Sequence, residues 1–148
     1  DLNFELRGEN KNLPNDTTDI YIADTLGELG LFYRLAPIAV IGRCFSDDGG
    51  GGHNPIEAAQ LNCAVRTGPN VQYQTHLFDE MLAAHAAIQV HNEEEFYQTL
   101  ETLFNDDKAR ENLTNAATKY ATAKDHIIDH VMDNLKPLLE SGTQEGSL

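Results

Sequence analysis

The stretch IAVIGRCFSDDGGGGHNPIEAAQLNCAVRTGP, residues 38–69, decides the fold. Ile38–Gly42 is an apolar run without polar alternation, the mark of a strand covered on both faces in a parallel sheet. Pro55–Asn62 reads as a short helix and Cys63–Gly68 as another strand. Parallel strands require a crossover of this kind, so the stretch is one βαβ unit. Four consecutive glycines, Gly49–Gly52, separate the first strand from the helix. Glycine is costly to order, so such a loop implies unusual dihedrals or close approach of backbone to a neighbour.

Outward from this unit the same alternation continues. Phe4–Arg7 and Asp19–Asp24 are β-rich. Thr25–Ala36 follows as a helix, with Thr25 and Glu28 spaced as a capping box. Thr75–His85 predicts a helix, Ala87–His91 a strand, and Asn92–Asp106 a helix capped by Asn92 with acids in its first turn. A long helix is expected over 107–139, its stripe of Leu113, Ala117, Tyr120, Ile127, Val131, Leu135 and Leu138 packed on the rest of the protein. The pattern predicts an α/β fold, a Rossmann-like parallel sheet with helices on both faces. Four segments follow: a polar N-terminal segment (1–18), the Rossmann-like core (19–106), a helical segment (107–140) and a flexible tail (141–148).

Composition excludes several functions. The 148 residues are 41% hydrophobic and 23% charged, ordinary for a soluble globular domain. No apolar run is long enough to span a membrane, and the N-terminus is no signal peptide. The chain opens on Asp1 and not Met, which suggests a fragment or processed chain. The formal net charge of −14 is concentrated in 71–148, and such a surface argues against nucleic acid. An anionic ligand is expected in the less acidic middle third. Cys44 and Cys63 form no CxxC pattern and suit reduced, buried thiols.

The glycine loop is where chemistry is expected. Ligands of open parallel sheets lie beyond the carboxyl ends of the strands. The loop also ends at a helix N-terminus, where free N–H groups and the dipole favour an anion. Pro55 suits the first helical position, leaving Asn54 as cap. Glu57 stands three residues after Asn54, so it either bonds back to the Asn54 N–H or contacts a ligand. His53 is either a ligand contact or a loop histidine without a role. The loop lacks both the Lys-Ser/Thr of a Walker loop and G-x-G-x-x-G spacing. Elsewhere, His126, Asp129 and His130 have a metal-compatible spacing but no evident fourth ligand, and read as a solvated helix face. Asp47, Asp48 and His53 read as part of a flexible acidic loop. Cys44 has no base beside it and Ser46 no elbow motif, so no nucleophile is assigned.

DTLGELGLFYRLA (Asp24–Ala36), then IAVIG, GGHNPIEAAQLNCAV (Gly51–Val65) and TGP (Thr67–Pro69), resembles the C-terminal half of the bacterial 3-deoxy-D-manno-octulosonic acid (Kdo) transferases. That family's pattern is D-T-x-G-E-L-G, a strand and loop, G-G-H-N-P-x-E and T-G-P. The resemblance runs from about Asp19 to His91. It implies a GT-B glycosyltransferase that moves Kdo from CMP-Kdo to the lipid A precursor with inversion, at the cytoplasmic face of the inner membrane. The domain implied here holds the donor, and the acceptor, membrane association and general base belong to an N-terminal domain. No catalytic residue is therefore expected in this chain, and the resemblance implies no metal or cofactor. It places Gly51, Gly52, His53 and Asn54 at the donor phosphate and Glu57 at ribose hydroxyls. It places Asp24, Thr25, Gly27 and Glu28 at the neighbouring strand end, nearer the nucleotide or the domain cleft.

Departures are visible. Gly42-Arg43-Cys44 replaces the common G-G-S, the loop is slightly longer, and Glu57-Ala58-Ala59 replaces E-P-A-A. Arg43 is either a charge for the donor or a solvated side chain. The domain begins with further βα units in the family, so the chain alone is expected to be inactive and its exposed sheet edge to favour a homodimer. The alternatives are a UDP- or GDP-sugar transferase and a non-catalytic nucleotide-binding or self-associating module.

Overall fold

The computed structural model describes residues 2–10, 13–46, 48 and 51–142. In chain order the elements are β1 (Phe4–Leu6), α1 (Arg7–Asn10), β2 (Ile20–Ile22), α2 (Leu29–Leu35), β3 (Ile38–Val40) and α3 (Ile56–Gln60). They continue with β4 (Ala64–Thr67), a 3-10 turn (Gln72–Gln74), α4 (Thr75–Ala83), β5 (Ile88–Gln89), α5 (Glu93–Asn105) and α6 (Asp107–Gly142). Every strand pairing is parallel, as the alternation of elements predicts.

The strands form two ladders where one continuous sheet was expected. β1 pairs with β2, and β4 lies between β3 and β5. The central position of β4 explains its burial along its whole length. Its side chains alternate between two clusters, as a pleated strand requires. Val65 joins Ala39, Ile41, Ala58, Ala59, Phe78 and Met81 on the face covered by α3 and α4. Ala64 joins Leu103 and Leu113 on the face covered by α5 and α6. Burying a side chain such as Phe78 or Met81 contributes about 1.5–3 kcal/mol.

α6 straddles both clusters, because Leu113 belongs to the second and Ala117 and Ala121 to the first. Alanines on both helices let α6 lie close on α3, where Thr118 Oγ1 donates to Ala59 O at 3.0 Å. Further along, Lys124 Nζ pairs with Glu80 of α4 at 2.5 Å, and the Tyr120 hydroxyl donates to the same carboxylate. The predicted stripe holds to this point. Leu135 is instead 42% exposed, because α6 has by then passed the elements that cover it. The side chains of Ile127, Val131 and Leu138, and of His126, Asp129 and His130, lie outside the described residues. The helix runs to Gly142, past the expected start of the tail, and residues 143–148 are outside the described set. Among the described residues no helix is long and apolar enough to cross a membrane.

One buried charge stands out. Arg66 on β4 is fully buried and, among the described residues, makes no ion pair with a carboxylate. Its Nη2 donates to Phe96 O at 2.7 Å and to Thr99 Oγ1, and the guanidinium sits 4.5 Å from the centre of the Phe96 ring. Nε and Nη1 have no hydrogen-bond partner among the described residues, and desolvation pushes the group's pKa down.

Candidate functional site

The glycine loop leaves the carboxyl end of β3 and is fastened on both sides. His53 N–H donates to Gly42 O at 3.3 Å, and Tyr73 N–H donates to Gly51 O at 3.3 Å. Asn70, from the loop after β4, donates through its backbone to Cys44 O at 2.9 Å and through its side chain to Ser46 O at 2.8 Å. The loop is thus stitched to the Thr67–Pro69 segment, the next motif in the sequence. Glycines here answer to contact. A Cβ on Gly51 would lie 2.3 Å from Gln72 N, and one on Gly68 would lie 2.5 Å from Cys44 O. Gly52 also needs its freedom of dihedral, with φ at 57°.

At the helix start the expected cap is present. Asn54 Oδ1 accepts from Ile56 N–H at 2.9 Å, with Pro55 in αR conformation ahead of α3. Glu57 does not close a capping box: among the described residues its carboxylate makes no hydrogen bond, and it is exposed. It lies against α2, where a Cβ on Gly30 would meet Glu57 Oε1 at 3.4 Å and Arg34 Nη1 at 3.3 Å. Its charge, after desolvation, helps to raise the Tyr33 pKa. The last glycine of Asp24–Gly30 is therefore what lets the Glu57 carboxylate approach α2. Arg34 beside it is the residue that sequence reasoning missed, since within a helix pattern it carries no motif.

The rest of the predicted set divides. Gly51, Gly52, His53, Asn54 and Glu57 come together around the start of α3. The N–H groups of Gly51, Gly52 and Asn54 have no hydrogen-bond acceptor among the described residues, whereas that of His53 is already used. Arg43 has φ 61° and its guanidinium is drawn to Asp48 at 2.9 Å, both exposed. Asp47 lies outside the described residues. Cys44 and Cys63 are buried thiols that donate to the Ile41 and Tyr33 carbonyls, and burial raises the Cys63 pKa.

Asp24, Thr25, Gly27 and Glu28 make a separate corner. Arg7 grips Glu28 with Nη2 to Oε1 at 2.8 Å and Nε to Oε2 at 3.2 Å. Thr25 Oγ1 donates to the same carboxylate, and Asp24 Oδ1 accepts the Gly8 N–H at 2.6 Å. Held first by Arg7 and then by Thr25, the Glu28 carboxyl falls to a pKa of about 2. The capping box expected of Thr25 and Glu28 is absent. Gly27 at φ 82° turns the chain before α2, so the helix begins only at Leu29. No hydrogen bond joins this corner to the glycine loop among the described residues.

A protein from Rickettsia typhi named as a Kdo transferase is 37% identical over 134 residues, which is 86% of this chain and 28% of that one. A second, from Rickettsia bellii, is 34% identical over 134 residues, 89% of this chain and 31% of that one. The chain is homologous to the Kdo transferases. It spans under a third of the length of these two curated relatives. No family model matches it. Among solved structures, the C-terminal CMP-Kdo binding domain of WaaA from Acinetobacter baumannii matches with a TM-score of 0.74 and 26% identity. That match covers 80% of this chain and 60% of that one. The fold is accordingly that of the C-terminal domain of a GT-B glycosyltransferase, as the Kdo transferase motifs imply.

Proposed function

We propose that the chain is the donor-binding portion of an inverting glycosyltransferase that moves Kdo from CMP-Kdo to the lipid A precursor, at the cytoplasmic face of the inner membrane. The observation that carries this reading is the match to a CMP-Kdo binding domain over 80% of the chain. The donor phosphate sits at the start of α3, on the N–H groups of Gly51, Gly52 and Asn54, with the His53 side chain alongside. Glu57, its carboxylate unspent, takes the ribose hydroxyls, and Arg34 offers a cation beside it. Arg43 reaches the donor only by leaving Asp48. Asp24, Thr25, Gly27 and Glu28 act by shaping the corner before α2.

The chemistry is a direct displacement. A base from another part of the enzyme takes the proton of the acceptor hydroxyl. The acceptor oxygen bonds the anomeric carbon as the bond to the CMP phosphate breaks. The loop N–H groups stabilise the charge that the leaving phosphate gains. This chain supplies the leaving-group half and is inactive alone, so Kdo transfer by the 148 residues would overturn the assignment of roles.

Calorimetry with CMP, UMP and GMP on a form of the polypeptide carrying the whole domain tests the donor. CMP should bind best, and preference for UMP or GMP would sink the reading. A hydrogen bond to a charged group contributes about 1.5–3 kcal/mol, so Glu57→Gln should weaken CMP by at least about tenfold. Its melting temperature should not change, because the carboxylate caps nothing. Unchanged affinity would remove Glu57 from the site.

A further inference from the structure

Among the described residues, Arg66 is the only charged side chain that is fully buried. A cation taken out of water is costly unless a counter-charge and hydrogen bonds replace the solvent. Here the replacement is half made. Nη2 is spent on Phe96 O and Thr99 Oγ1, while Nε and Nη1 have no hydrogen-bond partner among the described residues. A group that completed the pairing has to be an acceptor, and a negatively charged one gains most.

The register Val40↔Arg66 sets these two side by side on one face of β3–β4. Ile38 and Ala64 share that face, packed with Leu103 beneath α5 and α6. The guanidinium stacks on Phe96, 4.5 Å from the ring centre. Val40 and Phe96, which flank Arg66 in this way, also line an otherwise apolar trough of about 340 Å³ with Phe45 and Glu93. Arg66 thus lies behind the wall between two of the four lining side chains. Phe45 stands edge-on to Phe96 at 5.7 Å, and its ring lies so close to Gly68 that a Cβ there would be 2.9 Å away. Val40 and Phe96 are fixed in a strand and a helix. Phe45 is exposed and comes from the loop after β3, so it is the side chain free to turn aside.

We propose that Arg66 is a buried anion site, opened when Phe45 turns aside, for a monocarboxylate with a planar aromatic or short aliphatic body. The carboxylate accepts the charge-assisted hydrogen bond that Nε or Nη1 has to offer. The body lies in the trough against Val40, Phe45 and Phe96. Glu93 on the rim is exposed and makes no ion pair among the described residues, so the chain's own carboxylate leaves the position open. Its charge also disfavours a phosphate, which would carry a second negative charge into an apolar lining. A polyhydroxylated sugar acid would leave hydroxyls unpaired there. The occupant follows from charge and shape at Arg66, independently of the nucleotide sugar assigned to the glycine loop.

Nuclear magnetic resonance titration of the 148-residue chain with benzoate and benzamide, which share a shape and differ in charge, tests it. Benzoate should shift the Val40 and Phe96 amides to saturation and move the side-chain N–H signals of Arg66. It should bind at least about tenfold more tightly than benzamide. Arg66→Met should erase that preference, with the melting temperature showing the chain still folded. Equal affinity for the two probes would overturn the proposal, since water at the two nitrogens would then be partner enough. A preference unchanged in Arg66→Met would overturn it too. So would Arg66 N–H signals that stay still in the unsubstituted chain, a readout that needs no variant. If Glu93→Gln alone moved those signals as far as benzoate does, Glu93 would be the occupant and the proposal would fail.

Discussion

At position 43 the chain accepts a left-handed arginine, φ 61°, where the family's pattern has glycine. The strain is tolerable because the side chain reaches Asp48 across the loop. Gly51 has no such latitude, since its missing Cβ is the space Gln72 N occupies. Gly51→Ala should cost about 1–3 kcal/mol, an overpacking penalty, read as a lower denaturant midpoint with an unchanged slope. Glu28 carries a pH signature. Its folded pKa, near 2, lies below its ordinary value of 4.5, so its stabilisation is present above 4.5 and is lost as pH falls toward 2. Glu28→Gln should remove that part of the acid decline in melting temperature, and an identical pH profile would show that the Arg7 grip contributes nothing. Motif spacing made Asn54, Glu57 and the glycines legible. It failed for Arg34 and for Thr25–Glu28, because a capping-box spacing says nothing of an arginine 21 residues upstream that takes the Glu28 carboxylate.

Among the elements, those with strong local signals were read well. Asn92 caps α5 as expected, accepting from Glu95 N–H at 2.9 Å, and Glu95 reciprocates toward His91 N–H at 2.8 Å. α2 was read five residues too long, four of them at its start, because periodicity cannot see that Gly27 turns left-handed. β4 hides a second surprise in Arg66, whose position in an apolar strand gave no hint of its stacking on Phe96. A buried guanidinium with two unpartnered donors stabilises little, and apolar replacements of buried charge are often neutral or favourable. Arg66→Met should therefore leave the unfolding free energy unchanged or raise it by about 1–3 kcal/mol, measured by denaturant titration. A loss of that size would show that the stacking and the Phe96 carbonyl bond outweigh the desolvation.

For the molecule as a whole, fold class and strand sense were legible in the order of elements, but the division into two ladders was not. Which strands lie side by side depends on what sits between them, and no pattern within one segment encodes that. The acidic balance of 71–148 fits a surface that keeps anions away from the helices and leaves the strand ends around the glycine loop as their entry. The length of α6 has a hydrodynamic consequence. At 1.5 Å per residue its 36 residues extend about 54 Å, against a diameter near 38 Å for a compact body of this size. The molecule should tumble as an elongated top, and amide vectors in α6 ahead of Pro137, which run along the helix axis, should show higher transverse-to-longitudinal relaxation ratios than those of β3–β5.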